Sequence, residues 1–321
     1  MQIFDSLLGN LMVPTILFFV LGLLAAVARS DLSIPEGAAK IMSLYLLLAI
    51  GFKGGHSLAD NGLGGDVFAA LAAGLVLSFL IPFLAYAILR ALTRLDPLNA
   101  AAVAGHYGSI SIVTFVAASS LLELSAIPSD GYMVAVTAAM EVPAILSALW
   151  IAHRYGRQGR PGGLPVRDLF ANGSIVLLAG AFAIGAVTQD RGMEMIAPFV
   201  VTPFTGILCF FLLDMGLSAG RSLLRNRHLL SPGLFVFGLT MPVIGAVLAL
   251  GLGTLIGLQT GSLFLLMVLA ASASYIAVPA AMKIALPQAE AGLYLTLSRG
   301  VTFPFNVTLG LPFYLWLAGS V

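Results

Sequence analysis

Gly105-His106-Tyr107-Gly108-Ser109-Ile110-Ser111 lies in the middle of an otherwise apolar stretch, residues 99–122, long enough to cross a bilayer. Ser272-Ala273-Ser274-Tyr275, followed by Pro279, interrupts the later apolar stretch 262–286 in the same way. Inside hydrocarbon every backbone N–H and C=O needs a partner. Small residues, hydroxyls and a proline at that depth therefore mark helices that break where they line a cavity. The two stretches are expected to face each other near the bilayer midplane and to hold a small solute.

The rest of the chain agrees with a membrane setting. Of 321 residues, 60% are apolar and only 9% charged, with a mean hydropathy of +1.04. A soluble domain carries roughly 25% charged residues. The apolar runs are continuous for about 20 residues rather than alternating, which excludes a β-barrel and indicates a polytopic helical protein. The net charge of +1 provides no field that would recruit nucleic acid. Cys209 is the only cysteine, so neither an intrachain disulfide nor a cysteine metal cluster can form. Residues 1–10 contain no Lys or Arg and lack the basic start of a signal peptide, so the first apolar run reads as a retained helix.

Ten apolar spans are expected, at about 11–28, 38–55, 67–92, 98–122, 131–153, 172–189, 196–219, 232–257, 262–286 and 291–319. Spans three and ten exceed the roughly 20 residues a crossing needs, which predicts tilt or a break. The one linker is 154–170, rich in Gly and Pro and carrying four arginines. It separates a first half, 1–153, from a second, 171–321. Ten crossings place twelve Lys and Arg on one side and only Lys53 and Arg191 on the other, with Arg299 inside a span. The basic side is expected to be cytoplasmic. The protein is then multi-pass in the cell (inner) membrane, with both termini outside.

The chain repeats itself. LLLAIGFKGGHSLA (46–59) aligns without gaps on FLLDMGLSAGRSLL (211–224), 165 positions later, with six of fourteen residues identical, including Gly51/Gly216 and Gly55/Gly220. At similar offsets Ser109 and Ser111 fall on Ser272 and Ser274, Tyr132 on Tyr294, and Pro143 on Pro304. Five spans is an odd number, so the second half enters from the opposite side. The expected fold is all-α and integral to the membrane, with ten transmembrane helices in two inverted five-helix repeats and discontinuous helices four and nine. Such halves can exchange conformations and so form a secondary transporter.

Gly105 and Gly108 are expected to permit the break in span four, and Pro279 the break in span nine. Ser109, Ser111, Ser272 and Ser274 would add hydroxyls to two convergent helix N-termini, which suits a small oxyanion. The substrate set is then Gly105, His106, Tyr107, Gly108, Ser109, Ser111, Ser272, Ala273 and Ser274. The competing reading is that Gly and Ser only allow close helix packing. His106 is either a hydrogen-bonded interior histidine or a proton relay.

Three charges fall deep in spans: Glu141, Asp214 and Arg299. Each costs at least about 2.5–3.5 kcal/mol at the bilayer centre and so points to function. Glu141, Thr302 and Asn306 offer hard oxygen ligands for a coupling Na⁺. A structural Glu141–Arg299 pair is the alternative, and the two readings can coexist. Asp214 reads equally as an ion ligand or as a partner of nearby backbone. Glu123, Asp130, Asp60 and Asp66 read as solvated loop residues. There is no P-loop, HExxH or nucleophile elbow, so neither ATP drive nor an enzyme is supported, and no cofactor is expected beyond the coupling ion.

GHYGSISIVTF (105–115), EVPAI (141–145), SASYIAVPAAM (272–282) and SRGVTFPFN (298–306) together resemble the signature stretches of the sodium-dependent bicarbonate transporter family, the SbtA type. The resemblance covers nearly the whole chain. It implies Na⁺-coupled HCO₃⁻ uptake and a homotrimer in the lipid bilayer. It also implies an elevator related in fold to bile-acid symporters and sodium/proton antiporters, with a moving core of spans three to five and eight to ten and a gate of spans one, two, six and seven. Members of the family can be inhibited by a small PII-like protein on the cytoplasmic face. The linker here is shorter than theirs, which sets that partner apart from the other expectations. A proton-coupled antiporter, or a carrier of another anion, is the alternative on the same fold. Its hallmark, paired carboxylates at the breaks, is missing from spans four and nine.

Overall fold

The computed structural model describes residues 13–61, 64–155, 173–276, 278–279, 281–282 and 286–321. The N-terminal residues 1–12 and nearly all of the expected linker lie outside the described residues. The helices are α1 (Pro14–Val27), α2 (Glu36–Asn61), α3 (Gly65–Leu92), α4 (Pro97–Gly108), α5 (Ile112–Leu124), α6 (Met133–Ala139), α7 (Glu141–Tyr155), α8 (Gly173–Val200), α9 (Phe204–Asn226), α10 (Pro232–Leu255), α11 (Thr260–Ala271) and the rod α12 (Ala291–Ala318). No strand occurs among the described residues. The starts of α4 and α10 follow from local chemistry. Asp96 accepts from the N–H groups of Leu98 and Asn99, Ser231 accepts from Leu234, and a proline follows each cap.

Seven segments are long and apolar enough to cross a membrane: Glu36–Ala59, Gly65–Leu92, Pro97–Leu124, Met133–Tyr155, Phe204–Leu229, Pro232–Leu255 and Ala291–Ala318. The other three expected spans differ. Of these, α1 and α11 are short, at 14 and 12 residues. The third, α8, leaves helical conformation at Gln189 (φ 49°, ψ −144°) and then continues to Val200. This kink moves the expected start of span seven from 196 to Phe204, behind Pro203. Span three is one helix with Pro82 inside it, whereas span ten contains two π-helical segments, Thr296–Thr302 and Asn306–Gly310. Span five carries an interruption at Met140, where Pro143 lacks the N–H that would continue the ladder. Ser78 Oγ donates to the Met140 carbonyl there at 2.5 Å.

Two helix pairs stand beside the rest. α1 packs along α9, and α2 along α8. Glycine lets their backbones touch. A Cβ at Gly55 would lie 1.9 Å from Phe182 O, one at Gly185 2.1 Å from Phe52 O, one at Gly22 2.1 Å from Leu213 O, and one at Gly216 2.1 Å from Phe19 O. The glycines matched in the sequence repeat thus do the same work in different pairs. The remaining helices form a second group. α3 packs on α4 and α7, α10 packs on α11 and α12, and α3 meets α10.

Candidate functional site

Both expected breaks are present, and they have nearly the same backbone. α4 ends on Ser109 (φ −90°, ψ 160°) and α11 on Ser272 (φ −85°, ψ 164°). Two residues later Ser111 caps α5, its Oγ accepting from Thr114 N at 3.3 Å. Ser274 Oγ accepts from Val278 N at 3.4 Å. The extended segments cross and bond to each other. Ser111 N donates to Ser272 Oγ at 2.8 Å, and Ser274 N donates to His106 O at 2.7 Å.

The serines, not the glycines, make the turn. Gly105 and Gly108 are helical and tightly packed: a Cβ at Gly105 would sit 2.6 Å from Ala148 Cβ, and one at Gly108 2.3 Å from the Pro82 ring. At these two positions glycine allows Ala148 and Pro82 to approach closely. Pro279 lies beyond the second break, in chain that is again helical.

His106 stacks on Tyr294 at 4.4 Å, and its Nδ1 lies 2.6 Å from Ala102 O. Tyr107 reaches Thr302, hydroxyl to hydroxyl, at 2.6 Å, and Thr302 Oγ1 also donates to Gly238 O. Asn306 Nδ2 donates to Ala271 O, the last carbonyl before the second break, while its Oδ1 accepts from Tyr314. Thr302 and Asn306 therefore brace the two breaks from span ten.

Glu141 is buried and hydrogen-bonds neither Thr302 nor Asn306 among the described residues. It lines a small cavity of about 10 Å³ with Ser111, Ser274, Tyr275 and Ile276. That volume holds about one water. Glu141 Oε2, Ser109 Oγ and His106 Nε2 are buried without a hydrogen-bond partner among the described residues. Of these three atoms, only the Glu141 carboxylate belongs to a residue that lines the small cavity.

Asp214 is not at this crossing. It lines a cavity of about 630 Å³ together with Glu36, Ser43, Ser218, Arg221 and Arg299, and Tyr275 and Ile276 separate that vestibule from the small cavity. Arg299 pairs with neither Glu141 nor Asp214 among the described residues; its guanidinium lies 5.9 Å from the Tyr275 ring centre. A second cavity, of about 270 Å³, is lined by Ile50, Lys53, Ser57, Glu123 and Asp130. Its Lys53 bonds Glu123 and lies 5.0 Å from the Phe204 ring centre, a contact between α2 and α5 that single-helix patterns do not reveal. Asp130, expected to be solvated, instead brackets Ser262: its N–H donates to Ser262 Oγ at 2.9 Å and its Oδ2 accepts at 2.6 Å. Burial first, and then the Asp130 charge, push the phenol of neighbouring Tyr132 up, so it stays neutral. In matching fashion Glu290 N donates to Asn99 Oδ1 at 2.7 Å.

Compared with known families, residues 14–319 match the model of the Na⁺-dependent bicarbonate transporter superfamily. No curated protein matches the chain. With nearly its full length matched, the chain belongs to that superfamily and is a multi-pass membrane transporter.

Proposed function

We propose that the chain is a secondary active symporter that uses the inward Na⁺ gradient to take up bicarbonate. The observation that carries this reading is the pair of crossed breaks, with Ser111 N on Ser272 Oγ and Ser274 N on His106 O. Two inverted five-span halves would each contribute one break. Their reciprocal ties support this: Asp130 N to Ser262 Oγ in one direction, Glu290 N to Asn99 Oδ1 in the other.

In this reading Glu141 supplies the negative charge for Na⁺, with the hydroxyls of Ser111 and Ser274 beside it, and Thr302 and Asn306 hold the surrounding frame through Tyr107 and Ala271. A buried carboxylate with a free oxygen is stabilised by a cation, and that cation lowers the cost of placing an anion next to it. The cavity is too small for HCO₃⁻ while Tyr275 and Ile276 wall it off. Bicarbonate binding among Gly105–Ser111 and Ser272–Ser274 therefore requires those two residues to move aside. The glycine-sutured pairs α1/α9 and α2/α8 would serve as the fixed gate and the other helices as the elevator core. The Arg299 vestibule, flanked by Arg221 and Arg225, would face the cytoplasm, leaving both termini outside. A homotrimer in the cell (inner) membrane completes the proposal. Uptake of labelled bicarbonate into proteoliposomes tests it. Accumulation is expected only with an inward Na⁺ gradient, and equal rates with and without that gradient would remove the coupling. Uptake that follows pH instead would select the proton-coupled alternative.

A further inference from the structure

We infer that Arg299 forms a second anion station, in the large vestibule one residue layer outside the crossed breaks, and that it takes a small planar oxyanion of single charge. Four observations converge on it. Arg299 lies within the π-helical segment Thr296–Thr302, a geometry that turns a side chain out of the ordinary helical register. Its Nε is buried without a partner, and among the described residues it makes no ion pair. The guanidinium lies near Tyr275, the residue that also walls the Glu141 cavity. The vestibule it faces, about 630 Å³, has ample room for a hydrated anion.

Two neighbouring donors are already engaged. Arg221 spends Nη2 on Leu32 O at 2.6 Å, and Asn226 spends Nδ2 on Thr296 Oγ1 at 2.9 Å. Asp214 and Glu36 face the same space, against Arg221, Arg225 and Arg299, so three guanidinium groups oppose two carboxylates. A planar guanidinium fork matches a carbonate- or carboxylate-type anion in two parallel hydrogen bonds. Asp214 weakens that attraction without cancelling it. The station therefore holds its anion loosely, as a step between the breaks and the aqueous phase requires. The inference rests on the reading that an anion crosses between the breaks.

The test uses the full-length protein in nanodiscs, with Cys209→Ser removing the native thiol and Ser218→Cys placing one in the vestibule wall. The rate of modification by an anionic methanethiosulfonate is measured with and without millimolar bicarbonate. Bicarbonate is expected to slow the reaction severalfold. Arg299→Gln should abolish that protection, and Arg299→Lys, which keeps the charge but not the fork, should retain part of it. Protection unchanged in Arg299→Gln, or no protection in the parent, overturns the station. Should Arg299→Gln fail to assemble, full protection in Arg299→Lys likewise overturns the fork. Proteoliposome uptake separates the two readings. Arg299-dependent protection without Na⁺-driven uptake keeps the station and removes the symport reading. Normal uptake without protection does the reverse.

Discussion

The Lys53 and Arg299 vestibules are built from matched positions of the repeat yet differ in size. Ile50, Lys53 and Ser57 line the first; Met215, Ser218 and Ser222, each 165 positions later, line the second. The first encloses about 270 Å³ and the second about 630 Å³. They sit toward opposite ends of α2, since Ser43 lines one and Ser57 the other, some 14 residues or about 21 Å apart. The scaffold on each side is the same, with glycine-to-backbone contacts. What differs is the charge pattern. Lys53 bridges to Glu123 across the smaller vestibule, whereas the matched Ser218 has no charge to offer, and Asp214 and Arg299 do not pair. The wider side is thus the one without a bridging ion pair among the described residues.

The largest expected effect is at the small Glu141 cavity, which shares Tyr275 and Ile276 with the wider vestibule. Glu141→Gln should raise the Na⁺ concentration needed for half-maximal bicarbonate uptake by more than about tenfold, since it removes the one buried charge at the crossing. An unchanged Na⁺ dependence would take Glu141 out of the cation site. Next comes Ser272→Ala, which leaves Ser111 N without its acceptor. Losing a buried partner costs about 1–3 kcal/mol, so a rise in bicarbonate KM of about tenfold is expected with assembly intact by size-exclusion chromatography. A wild-type KM would take that serine out of the site. The smallest effect belongs to the latch. Lys53 and Glu123 are partly exposed, and such pairs contribute about 0.2–1 kcal/mol, less at high salt. With Ser119→Cys as reporter in a Cys209→Ser chain, Lys53→Ala should speed labelling by an impermeant thiol reagent by about 1.4- to fivefold. Labelling at the parent rate would show that the ion pair does not set the asymmetry.

What the sequence discloses here follows from how local each feature is. The two breaks were legible because Ser109, Ser111, Ser272 and Ser274 are polar residues in apolar surroundings, and their shared spacing carried over into matching dihedral angles. The agent of the break was misassigned to Gly105, Gly108 and Pro279, because a glycine kept for a neighbour's Pro82 looks the same in sequence as a glycine kept for a turn. The hydrogen bonds of Thr302 to Tyr107 and Gly238, and of Asn306 to Ala271, join residues far apart in the chain, and no local pattern announces them. Depth along a span is readable, whereas the direction in which a π-helical rod turns its side chains is not. Gln189 and the Lys53–Glu123 bridge left no local signature at all; one is a single residue's conformation and the other joins residues 70 positions apart.

The Asn99–Glu290 tie joins residues 191 positions apart, and the Asp130–Ser262 tie 132. During synthesis Asn99 reaches the bilayer long before the amide that will hold it has been translated. The tie at the Asn99 end of the first half must therefore wait until almost the last span emerges, later than the bonds to Ser272 and Ser274. A product truncated before Glu290 would lack that tie altogether.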